Sequence, residues 1–251
     1  MREQAQTLAQ TRTTMPTNRN RRGPGPVWLA GLAVALAFSA GAAEAAECRS
    51  APEPGIDWRG CNKSNLILKA ANLEGASLVD TDFSETDLRG ARLDSANLEK
   101  ATLLRASLAG ASAEKANFGK VEAYRSDLSG LAGENASFAS AELQRSRFID
   151  ARLKSADFQK AELGRAEFSG SVLANNSFAL ANLSRADFRG TTMEGPVDFA
   201  GAFLFLTRFE GVDLGAATGL RQEQVDIACG DAATVLPQGL TTPRTWPCGF
   251  E

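Results

Sequence analysis

ADFQKAELGRAEFSG, residues 156–170, divides into three fives: ADFQK, AELGR and AEFSG. Each five opens with Ala, carries a charge second and puts Phe or Leu third. The frame extends without a slip from Ile56 to Gly195, as 28 fives. Pro196 interrupts it, and four more fives run from Val197 to Ala216. Of the 32 fives, 28 have Leu, Phe, Met or Trp at the third position, and 17 have Ala at the first. A period of five fits neither a helix, near 3.6, nor a flat strand, near 2. It fits one side of a square coil, with the third residue filling the middle and the small first residue letting backbone approach. Four sides would close a turn of twenty residues, and stacked turns would pair at about 4.8 Å like parallel strands.

A period of twenty is present in the side chains themselves. The third positions of the first side read Trp58, Leu78, Leu98, Phe118, Phe138, Phe158, Phe178 and Phe199. Those of the third side read Leu68, Leu88, Leu108, Leu128, Phe148, Phe168, Phe188 and Phe209. The second and fourth sides hold one Phe between them, Phe83. Segregation of Phe onto two opposite sides is what stacked rings in a narrow core require.

ANLEG (71–75), ANLEK (96–100), ADFQK (156–160) and ADFRG (186–190) carry the pattern A-[DN]-[LF]-x-x. In this the chain resembles the pentapeptide repeat family over residues 56–216. The resemblance implies an all-β fold, a right-handed quadrilateral parallel β-helix of about eight turns with a short C-terminal helical cap. It implies little about function, since a fold hosts many functions.

The remaining segments organise around this rod. Residues 1–45 read as a signal peptide: Arg19, Arg21 and Arg22 form a basic flank, VWLAGLAVALAFSA (27–40) an apolar run, and Ala43-Glu44-Ala45 a cleavage site before Ala46. The run is short for a membrane span, which takes about 20 residues, although an uncleaved anchor is the alternative. Met15 lies nearer the basic flank than Met1 and is a second candidate start. Residues 46–55 are an N-terminal cap or linker and 217–251 a C-terminal helix and extended cap. A periplasmic or secreted location follows, with no membrane span left after cleavage.

Export suits the cysteines. Cys48 and Cys61 bracket the start of the repeats, and Cys229 and Cys248 follow their end. Four cysteines in an oxidising compartment read as two disulfides, of three possible pairings; the local pairs close each end on itself. Their spacing does not suit zinc. Both ends of an open coil expose unpaired edges, so caps are expected. Residues 48–60 would plug the first, around Trp58. A short helix within 219–231 and the tail 236–250 would close the second. Phe203, Phe205 and Leu206 point outward on the last turn; the helix residues Leu220, Val225 and Ile227, or a second copy of the chain, are expected to cover them.

Within five successive fives, three break the core pattern. Ala113, Ala123 and Gly133 stand where a large residue belongs. Val121 and Leu131 are large at the usually small position, which restores volume in two of the three. A thin or kinked core is expected here, as a hinge or binding dent or as plain drift.

Composition narrows function. The chain has 251 residues, no His and one Tyr, Tyr124. Without His, the usual base near neutral pH and the commonest metal ligand are both missing. A convex rod also offers no cleft, so no catalytic residue, metal or cofactor is assigned. The Gly at 90, 110, 130, 170, 190 and 211 read as turn positions, not as a phosphate loop. Removing the segment with its five Arg and two Glu leaves 22 basic against 28 acidic residues, a net of −6. Arg105, Arg125, Arg145, Arg165 and Arg185 recur every twenty residues and form a column on one corner, with Lys100, Lys120 and Lys160 on the preceding corner. Glu122, Glu142 and Glu162 form an acidic line beside them. Two readings compete: ordinary solvated ion pairs, or an anion-binding ridge for a protein or an anionic envelope component. Some members of the resembled family mimic DNA and occupy a topoisomerase. That would need dense negative charge, and here the longest charged column is positive. The sequence therefore leads to an exported, non-enzymatic interaction scaffold in the bacterial envelope, monomeric or homodimeric, with no nucleic acid partner.

Overall fold

The structure, a computed structural model, describes residues 48–249. The signal segment expected over 1–45 lies outside the described residues. The chain winds as a right-handed coil of four sides, in which each residue at the second position pairs in parallel with the residue twenty further on. Asp57 pairs with Ser77, Ser77 with Asn97, Asn97 with Asn117 and so on up the rod. The sides are so short that most contribute a single bridge. Among the described residues, paired segments of two residues occur only around Pro196: β1 (Val172–Leu173) with β3 (Thr192–Met193), and β2 (Asn176–Ser177) with β4 (Val197–Asp198).

The repeat can be derived from its hydrogen bonds. In a typical five, 71–75, the first N–H bonds back within the chain, Ala71 N–H to the Leu68 carbonyl at 3.0 Å. The third and fifth reach the next turn, Leu73 N–H to the Arg92 carbonyl and Gly75 N–H to the Asp94 carbonyl, both at 2.8 Å. The second reaches the preceding turn, as Arg92 N–H of the equivalent five one turn on donates to the Ala71 carbonyl at 2.9 Å. Only the fourth N–H has no main-chain partner, and here the Asp or Asn at the second position acts. Its side-chain oxygen accepts that N–H, as Asn97 does from Glu99 at 3.1 Å and Asp157 from Gln159 at 2.9 Å. Thus Asp or Asn at position two serves the one donor that the ladder omits.

Position five has a different constraint. The bond from first N–H to third carbonyl closes a tight turn whose third residue must be left-handed. Lys100, Arg105, Gly110 and Lys115 have φ of 60°, 55°, 68° and 59°. The expected glycine column lies in this set, from Gly90 at 65° to Gly211 at 74°.

Positions one and three form the core. Phe118, Phe138, Phe158, Phe178 and Phe199 stack face to face, with centroids 4.8, 4.8, 4.9 and 5.5 Å apart. Phe148, Phe168, Phe188 and Phe209 do the same opposite, at 5.0, 4.7 and 5.2 Å. The two ladders meet edge to face, Phe138 and Phe148 at 5.5 Å and 89°. Each such pair contributes about 0.5–1.5 kcal/mol beyond burial.

The expected kink at Ala113, Ala123 and Gly133 is absent. Ser112 still pairs with Ala132, and Ala132 with Arg152. A Cβ on Gly133 would lie 3.2 Å from the Cδ2 atoms of both Leu131 and Leu153, so leucines from the same and the next turn already fill that space. The register changes instead at Pro196. Asn176 pairs with Val197, Asn182 with Phe203 and Asp187 with Arg208, a spacing of 21 in place of 20. Proline suits an insertion because it has no N–H to leave unpaired.

At the far end the coil runs past Ala216, with Thr218, Cys229 and Val235 bridging to Asp198, Arg208 and Asp213. The helix is a single turn, α1 (Gln222–Asp226). Gln224 pins it by donating to the Phe199 and Ala202 carbonyls at 2.9 and 2.8 Å. Val225, 2% exposed, points onto the end of the core beside Leu204, Phe209 and Leu214. Cys229–Cys248 and a bond from Trp246 Nε1 to the Ala228 carbonyl at 2.8 Å hold the tail over it.

Two consequences are measurable. Nothing lies within 4 Å of a Cβ added to Gly110, so Gly110→Ala isolates the backbone cost of a left-handed turn residue. Denaturant midpoints should show a loss of about 1 kcal/mol, and Lys115→Gly, at the equivalent position, a similar gain. Equal midpoints for both variants and the parent would contradict the turn geometry. The second consequence concerns acid. Arg89 folds back on Asp87, whose carboxyl is lowered from 3.8 to about 2, first by the Arg89 side chain and then by its main-chain N–H. A carboxyl lowered in the folded state stabilises above its unfolded value, and this contribution is lost as pH falls from about 3.8 to about 2. An NMR titration should find Asp87 ionised at pH 3, and Asp87→Asn should flatten this part of the acid unfolding curve.

Candidate functional site

The arginine column occupies the fifth positions of the second side, in the left-handed turn residues whose side chains leave the rod. Arg105, Arg125, Arg145 and Arg165 have φ of 55°, 58°, 59° and 61°, and Arg185 58°. Consecutive turns bring them close to the inter-strand spacing of about 4.8 Å. Arg105 turns back to Glu85 at 3.2 Å. Among the described residues no carboxylate lies within 4.0 Å of Arg125, Arg145, Arg165 or Arg185. Arg125 lies over the Tyr124 ring, 5.1 Å from its centroid.

The acidic line runs parallel to this column without neutralising it by contact. Glu122, Glu142 and Glu162 bridge one above another. Glu162 accepts a bond from Asn182 at 2.8 Å. On the lysine corner, Lys120 pairs with Glu99 at 3.0 Å, on the first side of the rod. In the reading of solvated ion pairs, these glutamates make no contact pair with Arg125, Arg145, Arg165 or Arg185 among the described residues: a glutamate at position two lies over the flat of its side, and the arginine of the same five leaves from the corner.

At its C-terminal end the column borders a groove of about 310 Å³ lined by Gly164, Arg165, Ser184, Arg185 and Phe205. Gly164 and Ser184 are its small lining residues. Phe205 forms its wall, 42% exposed, and Phe203 stacks beside it at 6.2 Å with 52% exposure. These two rings correct an expectation. Leu220 and Val225 do not cover them; they are drawn inward, where the end of the core offers more apolar surface. Ile227 is itself 38% exposed, and Leu206 is half-buried. An apolar patch thus adjoins a pair of unpaired guanidinium groups.

The cysteines form the two local pairs, Cys48–Cys61 and Cys229–Cys248, with Cα atoms 5.4 and 5.5 Å apart. The first pair has a neighbour that the sequence reading passed over. Lys63 stands at a third position, in the core column, and is 5% exposed. Its place in the frame was the available signal. Ala113, Ala123 and Gly133 lie inside the rod and line no site. Among the described residues no group of acidic or cysteine side chains has the geometry to hold a metal, and no helix is long and apolar enough to cross a membrane.

Known proteins agree with this architecture. Descriptions of pentapeptide repeats match residues 67–103, 91–130 and 134–170 in one form and 158–202 in another, more than half of the chain. No curated protein sequence matches. Among solved structures, QnrB1 in a trypsin-treated form, a plasmid-mediated fluoroquinolone resistance protein, is similar with a TM-score of 0.58 and 15% identity, over 76% of this chain and 85% of that one. HetL, a pentapeptide repeat protein involved in heterocyst differentiation regulation from the cyanobacterium Nostoc sp., is 19% identical over 75% of this chain and 86% of its own, with a TM-score of 0.29. At 15% identity the likeness to QnrB1 concerns the fold alone. With its fives matched over more than half its length and wound into a four-sided coil, the chain belongs to the pentapeptide repeat family.

Proposed function

We propose that the protein is an exported, non-enzymatic scaffold of the bacterial envelope that binds an anionic partner, a protein or an envelope component, along its arginine corner. One observation carries this reading: four successive arginines, Arg125 to Arg185, have no carboxylate within 4.0 Å among the described residues. Like charges about 5 Å apart repel, and an external anion relieves that repulsion. Guanidinium groups hold carboxylate and phosphate with paired donors. The groove at Arg165 and Arg185 adds an aromatic wall, Phe205, which favours an anion joined to an apolar group. Export is supported by the basic, apolar and small-residue order of 1–45 and by the two disulfides at the ends of the rod. A DNA-mimicking role is disfavoured on electrostatic grounds, because such a surface needs dense negative charge where this one has a positive corner.

The test uses protein recovered from the fractionated native host. Its intact mass should correspond to a chain beginning near Ala46 with both disulfides closed, found outside the cytoplasm. A cytoplasmic, uncleaved and reduced chain would remove the envelope from the proposal. The same protein should bind vesicles rich in anionic lipid in a salt-sensitive way. Replacing Arg145, Arg165 and Arg185 together by Ala should weaken that binding by about tenfold or more. Unchanged binding would remove the ridge.

A further inference from the structure

Lys63 occupies the core slot that Phe83 and Leu103 fill on the next two turns, and it is buried like them. An ammonium there has lost its water and needs replacements. The structure supplies two. The Trp58 ring faces Nζ at 3.5 Å from its centroid, and the Cys48 main-chain carbonyl accepts from Nζ at 2.7 Å. No carboxylate lies within 4.0 Å of Lys63 among the described residues. Burial lowers its pKa, in keeping with an ammonium held by neutral partners.

The two partners differ in security. Trp58 is 0% exposed and bonded into the ladder by its N–H to the Ser77 carbonyl at 2.9 Å. Cys48 lies ahead of the first complete turn, and what ties it there is the disulfide to Cys61, two residues before Lys63. The same end also encloses the Trp58 indole N–H, which has no acceptor among the described residues. The first turn therefore encloses a cation held by one carbonyl on a tethered segment, beside a donor with no acceptor among the described residues.

We infer that Cys48–Cys61 is a redox latch on the first turn of the coil: closed, it holds the carbonyl that keeps Lys63 buried, and reduced, it lets Lys63 withdraw to water and the turn open. The chemistry is ordinary exchange. A dithiol gives two electrons and two protons to the S–S bond, leaving two thiols on the protein and a disulfide on the reductant. Oxidising surroundings then give a closed end, and reducing ones an open end with an exposed amine and indole. This inference is independent of the arginine corner.

The experiment compares the full chain before and after dithiothreitol, reading hydrogen exchange over residues 56–68 and acetylation of Lys63 by an N-hydroxysuccinimide ester. In the oxidised protein Lys63 should resist acetylation and the first turn should exchange slowly. Reduction should raise both by about tenfold or more, while the Phe-laddered turns stay protected. Lys63→Leu, which matches Leu103 in the same column, should hold the first turn's exchange within about threefold of the oxidised value after reduction. An equal rise in Lys63→Leu and wild type would show that the disulfide acts only as a tether, and would overturn the inference. So would a reduced wild type with Lys63 still unreactive, a readout that does not depend on the variant folding.

Discussion

Everything in this molecule depends on a hydrogen-bond ladder that repeats every twenty residues. Each side is too short to be a strand in the usual sense, and the coil persists because three of every five N–H groups bond to a neighbouring turn and a fourth closes the corner. That leaves one donor in five, and the repeat motif is largely its solution. Asp and Asn at position two accept the leftover N–H, small residues at position one let the turns approach, and large ones at position three fill the interior. The phenylalanine ladders follow from the same constraint, since rings at the inter-strand spacing stack face to face.

The same repetition shapes the surface. A position that leaves the rod on one turn leaves it on every turn, so side chains form columns whether or not a ligand selects them. What distinguishes the arginine corner is that the lack of a contacting carboxylate recurs on four successive turns. Elsewhere an arginine at position four folds back on the aspartate two residues before it, as in Asp57–Arg59, Asp87–Arg89 and Asp187–Arg189. At position five, on the corner, that return is not made, and Arg125 to Arg185 stand free of carboxylates among the described residues. Next to them, Glu122, Glu142 and Glu162 replace the usual Asp or Asn. The amides of Tyr124, Gln144 and Gly164 consequently have no acceptor among the described residues, and neither does that of Leu104, which follows Thr102.

Much of this was legible in the sequence, and the misses have physical causes. The period of five, the four sides and the two Phe columns are properties of spacing, and spacing survives folding. The soft middle expected at Gly133 misjudged where volume comes from: Leu153 reaches in from the next turn, a contact that reading one five at a time does not show. The helix was expected to cover Phe203 and Phe205, but α1 is a single turn and its one strongly apolar residue, Val225, has a larger apolar surface to bury at the end of the core. Lys63 was visible as an exception in its column. Its resolution was not, because the carbonyl that satisfies it belongs to Cys48, outside the repeat.

Residue-resolved hydrogen exchange by NMR tests the ladder most directly. Third- and fifth-position amides, such as Phe138, Ser140, Phe158 and Lys160, should be the slowest in the rod. Fourth-position amides should divide by their neighbour: Glu99, Gly119 and Gln159, capped by Asn97, Asn117 and Asp157, slowed, and Leu104, Tyr124 and Gln144 fast. Protection that varies smoothly along the chain, without a period of five, would contradict the account.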